Sequence, residues 1–228
     1  MEIQPNIHWI NGGSSNFYLG IDEDGLVLVD CGMPKREKLL WEKIESLGYQ
    51  PVDLKHILIT HADVDHVGSL AAIQAASGAK VYASEQTAVL LPEGRSPKHM
   101  PWFAQFIIDT FMRYGKVSAD KLTIVQDGEL LPLLGGIQVL ATPGHTLDHL
   151  SYFNPLSGVL FAGDALNTRN GRLQATDPRI TVDVPASRQS VIKLLELAPV
   201  VFACGHGDPL SGHSTKELMM LFNAMRQV

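Results

Sequence analysis

Short apolar runs that end in glycine, aspartate or proline recur along this chain, and they restrict its fold more than any other feature. Runs of this kind, rich in Val, Ile and Leu, are typical of buried β-strands. Because strands precede helices in each half of the chain, we predict two sheets packed together with helices outside them. The predicted strands span residues 7–10, 16–21, 26–30, 56–60, 80–83, 122–125, 137–142, 150–153, 159–162 and 200–203.

Helical patterns lie between these strands. Residues 35–47 carry apolar side chains at helical spacing and stop at Gly48, which predicts a helix that ends there. Residues 186–197 repeat the pattern, and an apolar stripe within 218–225 predicts a final helix. Since no Ser/Gly linker or charge block interrupts the sequence, residues 1–228 are predicted to form a single domain.

Residues 92–121 differ from the rest of the chain, because the proline-rich stretch PEGRSPKHMP precedes a crowd of apolar side chains. One interpretation is a helical lid or insertion over a site. The other is an ordinary amphipathic helix packed on the core, the commoner role of such a stripe. The sequence leaves both open. The apolar residues concerned are Trp102, Phe103, Phe106, Ile107, Phe111, Met112 and Tyr114.

Composition narrows the class of partner. The chain has 18 basic and 24 acidic side chains and a net charge of -6, so it offers no electrostatic footprint for nucleic acid or an anionic membrane. We find no signal peptide and no apolar run long enough to span a bilayer, and we expect a cytoplasmic protein with a small-molecule substrate. Cys31 and Cys204 are too few for a disulfide scaffold and are expected to be reduced and buried. The oligomeric state stays open.

The stretch HADVDH, residues 61–66, places metal-binding side chains directly after a predicted strand. Alternate residues of an extended chain share a side, so His61, Asp63 and Asp65 can point together. The turn into the next helix then directs His66 toward a second centre. An alternative is that the aspartates cap that helix. Capping explains one aspartate but not two imidazoles and two carboxylates, so we predict a metal site here.

Three later motifs supply further donors, and each follows an apolar run and lies in a glycine-containing turn. ATPGHTLDH contains His145, LFAGDAL contains Asp164, and ACGHGDP contains His206. Side chains from several strands can meet in such turns while the core stays dry. Imidazole nitrogens combined with carboxylate oxygens suit Zn, Fe or Mn better than Ca, which prefers oxygen ligands alone.

Together these motifs resemble the signature of the metallo-β-lactamase fold superfamily, which is HxHxDH followed by a histidine, an aspartate and a final histidine at strand ends. The resemblance extends from LVLVDCG to GHGDP and implies an α/β fold, a four-layer αββα sandwich that binds two divalent metal ions. The residues implied to hold the first ion are His61, Asp63 and His145. Those implied to hold the second are Asp65, His66 and His206, and Asp164 would bridge the two.

The resemblance also implies a class of chemistry. Two divalent ions about 3.5–4 Å apart can activate a water and polarise a carbonyl group, which favours a metal-dependent hydrolase. Asp65 would orient or deprotonate that water as the catalytic residue. Because the superfamily acts on several substrate classes, the fold does not define the substrate. We expect an ester, a lactone or a thioester.

The chain departs from the signature at one position, because Asp63 stands where the superfamily has its second histidine. The resemblance favours zinc, whereas the added carboxylate favours Fe or Mn relative to Zn. The shorter aspartate could also leave the first site weakly filled. Two alternatives to a hydrolase follow, namely an iron-dependent oxygenase or redox protein, and a non-catalytic binding protein with an altered metal site.

Other polar residues are given smaller roles. Asp30, at a strand end, is expected either to support a metal-binding histidine or to cap a turn. His149 is expected to be structural. Histidines without companion donors are interpreted as surface or core residues. These are His8, His56, His99 and His213.

Overall fold

The computed structural model describes residues 1–99, 102–213 and 215–226. The strands are β1 (Glu2–Gln4), β2 (Ile7–Asn11), β3 (Asn16–Asp22), β4 (Gly25–Val29), β5 (Leu54–Leu58), β6 (Lys80–Ala83), β7 (Leu122–Ile124), β8 (Leu130–Leu131), β9 (Ile137–Ala141), β10 (Leu150–Asn154), β11 (Val159–Gly163), β12 (Leu166–Arg169), β13 (Arg172–Ala175), β14 (Val201–Cys204) and β15 (Leu210–Ser211). The helices are α1 (Glu37–Ser46), α2 (Val64–Val67), α3 (Leu70–Ser77), α4 (Glu85–Leu90), α5 (Trp102–Phe111), α6 (Val184–Glu196) and α7 (Thr215–Arg226).

The strands form two large sheets and one hairpin. The first sheet has the order β1-β2-β3-β4-β5-β6-β7, and the second has the order β15-β14-β11-β10-β9-β8. Strands β12 and β13 pair with each other in an antiparallel hairpin. Every strand predicted from the apolar runs is present, with ends that differ by one or two residues. The sequence analysis missed the short strands β1, β8, β12, β13 and β15, because two to four residues carry too little periodicity.

Alternation along β4 shows why the first sheet is covered on both faces. Leu26 and Leu28 pack on the side that faces α1, whereas Val27 and Val29 pack between the two sheets. All four side chains are buried. A strand buried on both faces reads as a continuous apolar run, which is the pattern the sequence shows here.

The second sheet repeats this arrangement. Phe161 of β11 lies in the core between the sheets, and its neighbour Leu160 packs against α6 and α7. The layers therefore run helix, sheet, sheet, helix. This architecture confirms the predicted α/β fold of αββα type.

Parallel pairing brings the candidate site residues to one edge. Strands β4 and β5 run parallel in the first sheet, as β11 and β14 do in the second, so the turns after them open at their carboxyl ends. Asn16 joins the two sheets at this edge. Its backbone N–H donates to the Gly205 carbonyl at 2.7 Å, and its side-chain amide donates to the Cys204 carbonyl at 3.0 Å.

The segment 92–121 contains α5. Two large apolar side chains of this helix are exposed to solvent, Trp102 at 85% and Phe106 at 64%. Its apolar face is thus not fully used by the core, although Tyr114 beyond it is buried. Within the described residues no helix combines the length and apolar character needed to cross a bilayer. Cys31 and Cys204 are buried free thiols.

Candidate metal centre

The turn after β5 carries the first donors. Helix α2 begins at Val64, and Asp63 occupies the position just before it with an extended backbone. The Asp63 carboxylate makes no capping hydrogen bond with the helix. The capping interpretation therefore fails for this aspartate, because its carboxylate faces histidines from other parts of the chain.

One group of donors surrounds a single oxygen of Asp63. The Nε2 atoms of His61 and His145 lie 3.4 and 3.2 Å from Asp63 Oδ2. His145 comes from the turn after β9, far from His61 in sequence. The structure thus brings together the three residues that the family resemblance assigned to a first ion.

A second group forms on the other side of Asp164, which follows β11. His66 Nε2 lies 3.2 Å from Asp164 Oδ1, and His206 Nε2 lies 3.1 Å from Asp164 Oδ2. Asp65 Oδ2 lies 3.6 Å from His206 Nε2 and 4.0 Å from His66 Nε2. Asp164 Oδ2 also lies 3.5 Å from His145 Nε2, so this carboxylate contacts imidazoles of both groups.

Two of these imidazoles are oriented by backbone carbonyls. The Nδ1–H of His145 donates to the Ile180 carbonyl at 2.8 Å, and that of His206 donates to the Ser14 carbonyl at 2.8 Å. A neutral imidazole that donates through Nδ1 keeps a lone pair on Nε2. Both rings therefore present a ligand nitrogen to the centre of the site.

Asp30 and Thr60 orient the other two imidazoles. Asp30 accepts from the Thr60 hydroxyl at 2.8 Å and from His66 Nδ1 at 2.8 Å. Because the Thr60 hydroxyl has one proton and gives it to Asp30, the 2.9 Å contact between Thr60 Oγ1 and His61 Nδ1 requires the histidine to donate. His61 and His66 thus also direct Nε2 inward. The Asp30 backbone has a φ of 59°, a strained value at the point where its carboxylate turns toward the site.

His149 supports Asp164 through its backbone. Its Nε2 accepts a hydrogen bond from the Asp164 backbone N–H at 2.9 Å, and its Nδ1 contacts the Thr142 hydroxyl at 2.8 Å. Both nitrogens are therefore occupied. This agrees with the structural role predicted for His149.

His99 corrects the sequence interpretation. The interpretation of His99 as a surface or core histidine without companion donors is wrong. Its side chain is 4% exposed, its Nε2 lies 3.2 Å from Asp63 Oδ2, and its ring meets that of His145 edge-on at 4.8 Å. Burial lowers the pKa of His99, which favours the neutral form that binds metals. No spacing signal links His99 to the other motifs, since only the folded segment brings it here.

The charges of the site favour bound cations. Burial opposes ionisation of Asp164, but His66 and His206 outweigh it and hold the pKa of Asp164 well below its usual range. Asp164 in turn raises the pKa of His206 to about 8. Burial also opposes ionisation of Asp63, but the adjacent His145 and His61 outweigh it and lower the pKa of Asp63. The carboxylates thus stay charged and stabilise positive charge at the imidazoles, whether a proton or a metal carries it.

The donor set fits a transition-metal centre. Among the described residues, several buried polar atoms at the site have no hydrogen-bond partner, as expected where a cation is the partner. These atoms are His61 Nε2, Asp63 Oδ1, His66 Nε2 and Asp164 Oδ1. Three groups of donors lie close enough to share an ion: His61, His145 and Asp164; Asp63, His99 and His145; and Asp65, His66 and His206.

Comparison with known proteins places this geometry in a family. A sequence model of the metallo-beta-lactamase superfamily matches residues 10–206. The chain belongs to the metallo-beta-lactamase superfamily. It is a metallo-hydrolase of that superfamily, and members of the family are typically dinuclear metal-dependent proteins.

Individual relatives agree with this membership. The Bacillus subtilis (strain 168) protein named "Probable metallo-hydrolase YflN" is 26% identical over 100% of this chain and 94% of its own length. Hydroxyacylglutathione hydrolase GloC of Haemophilus influenzae is 31% identical over 82% of each chain. A solved B3 metallo-beta-lactamase, described as having an active-site glutamic acid, superposes with a TM-score of 0.76 at 25% identity, covering 99% of this chain and 86% of that one.

The superfamily fold opens here onto a cavity of about 540 Å³. Six of the candidate donors line it, namely Asp63, Asp65, His99, His145, Asp164 and His206. Its lining also includes apolar residues, two of which, Ile107 and Met112, belong to the segment 92–121. The apolar lining residues are Met33, Val64, Ile107, Met112 and Ile180.

Proposed function

We propose that this chain hydrolyses an ester, lactone or thioester that has an apolar acyl group, using two divalent ions held at the candidate metal centre. The observation that carries this proposal is the position of Asp164, whose two carboxylate oxygens contact imidazoles of both donor groups. A carboxylate so placed is suited to bridge two cations. The proposed ligands are His61, Asp63 and His145 for the first ion, Asp65, His66 and His206 for the second, and Asp164 for both.

When bound, the two ions would supply Lewis acidity and a water with a lowered pKa. The side chains of the site would then position that water and accept its proton. Asp65 lies at the edge of the site, where its side chain is 25% exposed and borders the cavity. It is therefore placed to accept a proton from a water at that edge. His149 and Asp30 hold Asp164 and His66 in position without touching the substrate.

The cavity walls support a neutral substrate with an apolar portion. Five apolar side chains line the cavity together with the donors, and no Lys or Arg is among the described residues that line it. Apart from the two proposed ions, a phosphodiester or polyanionic substrate would therefore find no cationic side chain in this lining. The hydroxyacylglutathione hydrolases among the relatives support a thioester as one member of the expected class.

The direct test is a substrate panel measured with defined metal content. The protein would be stripped with a chelator, reloaded separately with Zn, Mn or Fe(II), and assayed with lactones, thioesters, a phosphodiester and a β-lactam. We expect activity on lactones or thioesters that rises with acyl length and requires about two ions per chain. The favoured metal is zinc by family resemblance, and Asp63 makes Fe or Mn the competitor.

The alternatives give different results in the same experiment. Dioxygen uptake with a thiol substrate, dependent on iron, would replace the hydrolase proposal with the oxygenase or redox one. Failure to retain any metal would favour a binding protein. Activity confined to the phosphodiester would contradict the substrate class. Asp65→Asn should lower kcat on the accepted substrate, whereas Asp127→Asn, at a surface loop, should not.

A further inference from the structure

Among the described residues, His99 is the one donor at the site that comes from the segment 92–121. Its Nε2 lies 3.2 Å from Asp63 Oδ2, the same oxygen that His61 Nε2 and His145 Nε2 approach. Three imidazole nitrogens thus converge on one carboxylate oxygen. The side chain of His99 is buried in this position and borders the cavity.

Part of this cluster is compact enough to hold one ion, because ligand atoms of Asp63, His99 and His145 lie within 4.8 Å of one another. His61 and His145 use Nδ1 for hydrogen bonds outside the site, so their Nε2 lone pairs are available at the centre. One carboxylate oxygen is a poor partner for three imidazole nitrogens, but a cation beside it could contact Asp63 Oδ2 together with the nitrogens of His99 and His145. The signature of the superfamily has a histidine where this chain has Asp63. His99 brings an imidazole back to that ion from a different part of the chain.

We propose that His99 is a ligand of the first ion and compensates for the histidine that Asp63 replaces. The proposal rests on the metal centre proposed above. It gives the segment 92–121 a defined role, because filling the first site would fasten this segment over the cavity. The metal ion would then link catalysis to the position of the segment that supplies Ile107 and Met112 to the cavity lining.

Contacts within the segment support this coupling. The His99 backbone N–H donates to Gln105 Oε1 of α5 at 3.3 Å. At the other end, the Tyr114 hydroxyl donates to the Arg95 carbonyl at 2.5 Å, and Tyr114 is itself in the core. Ile107 of α5 lines the cavity. A bond at His99 would therefore hold the helix that supplies part of the substrate wall.

The first test measures metal binding rather than turnover. Wild type, His99→Ala and the matched control His56→Ala would be stripped, reloaded with Zn, and compared by metal analysis and by competition with a chromophoric chelator. His56 is a half-buried histidine on β5 whose ring contacts Tyr82, away from the site. We expect two ions in wild type and His56→Ala, and a loss of at least about 10–100-fold in affinity for one of the two ions in His99→Ala.

A second variant keeps the proposal testable if the alanine variant folds poorly. His99→Cys loaded with Co(II) should show the near-ultraviolet charge-transfer band of a cobalt–thiolate bond, which wild type should lack. Trypsin provides an independent readout, because Arg95 and Lys98 are both exposed. Zn should slow cleavage after these residues in wild type and His56→Ala but not in His99→Ala.

The outcomes separate the two proposals. If wild type binds no metal, the proposed metal centre itself fails. If wild type binds two ions and His99→Ala binds both with unchanged affinity, while the cysteine variant shows no thiolate band, then only the role of His99 is wrong. Equal tryptic protection of wild type and His99→Ala by Zn would overturn the coupling of the segment to the first ion.

Discussion

Replacing Asp30 with asparagine should weaken metal binding although Asp30 is not itself one of the proposed ligands. The carboxylate accepts three hydrogen bonds: Oδ1 from the Thr60 backbone N–H at 2.9 Å, and Oδ2 from the Thr60 hydroxyl and His66 Nδ1 at 2.8 Å each. An asparagine has one acceptor oxygen. With that oxygen at the Oδ2 position, its NH₂ group opposes the Thr60 N–H, and the reverse orientation loses the two other bonds.

At least one buried donor is therefore left without an acceptor, at a cost of about 1–3 kcal/mol. The loss of charge beside His66 also weakens that imidazole as a ligand, and changes of this kind typically reduce metal affinity by about 10–100-fold. The assay is Zn competition with a chromophoric chelator, with thermal unfolding in EDTA to measure the fold separately. Asp127→Asn is the matched control, because Asp127 accepts from the Ala141 N–H and Lys193 away from the site. Zn affinity equal to wild type in Asp30→Asn would refute the reasoning.

Three further predictions concern pH, space and substrate. The pKa of His206 is raised to about 8 from a usual 6.5, so its proton stabilises the metal-free fold below pH 6.5, and this contribution is lost as pH rises through 8. The increase in Tm on adding Zn should therefore grow between pH 6.5 and 8. An increase in Tm that does not change with pH would contradict this prediction. Gly205→Ala would place a Cβ 2.3 Å from Asp164 Oδ1 and should abolish tight metal binding. Gly212→Ala, which has open space but a φ of 65°, should lower Tm by only a few degrees and keep the metal, as metal analysis would show. Ile107→Ser should reduce kcat/KM for long acyl substrates by about 10-fold relative to short ones, because Ile107 lines the cavity. The control is Ile124→Ser, since Ile124 is about as exposed as Ile107 (49% against 50%), and it should leave that ratio unchanged.

Much of the site was readable before the fold was known, because its residues lie in short motifs at strand ends. His61, Asp63, Asp65 and His66 stand together in one turn, and the glycine-containing turns around the later donors follow clear apolar runs. Strand positions were also predictable, because β-strands buried on both faces leave continuous runs of Val, Ile and Leu. The shortest strands were less predictable, because two to four residues carry little periodic signal. The helix boundaries were also less predictable.

The sequence by itself determined the chemistry available to this protein: which donors exist, where the strands end and which signature position carries a carboxylate. The tertiary structure decided which donors meet. Only packing of the second sheet against the first places Asp164 between two sets of imidazoles, and only the path of the segment 92–121 brings His99 to Asp63. A local periodic pattern shows which side of its own strand or helix is buried. Contacts between distant segments depend on how the whole chain packs, and no short sequence pattern contains that information.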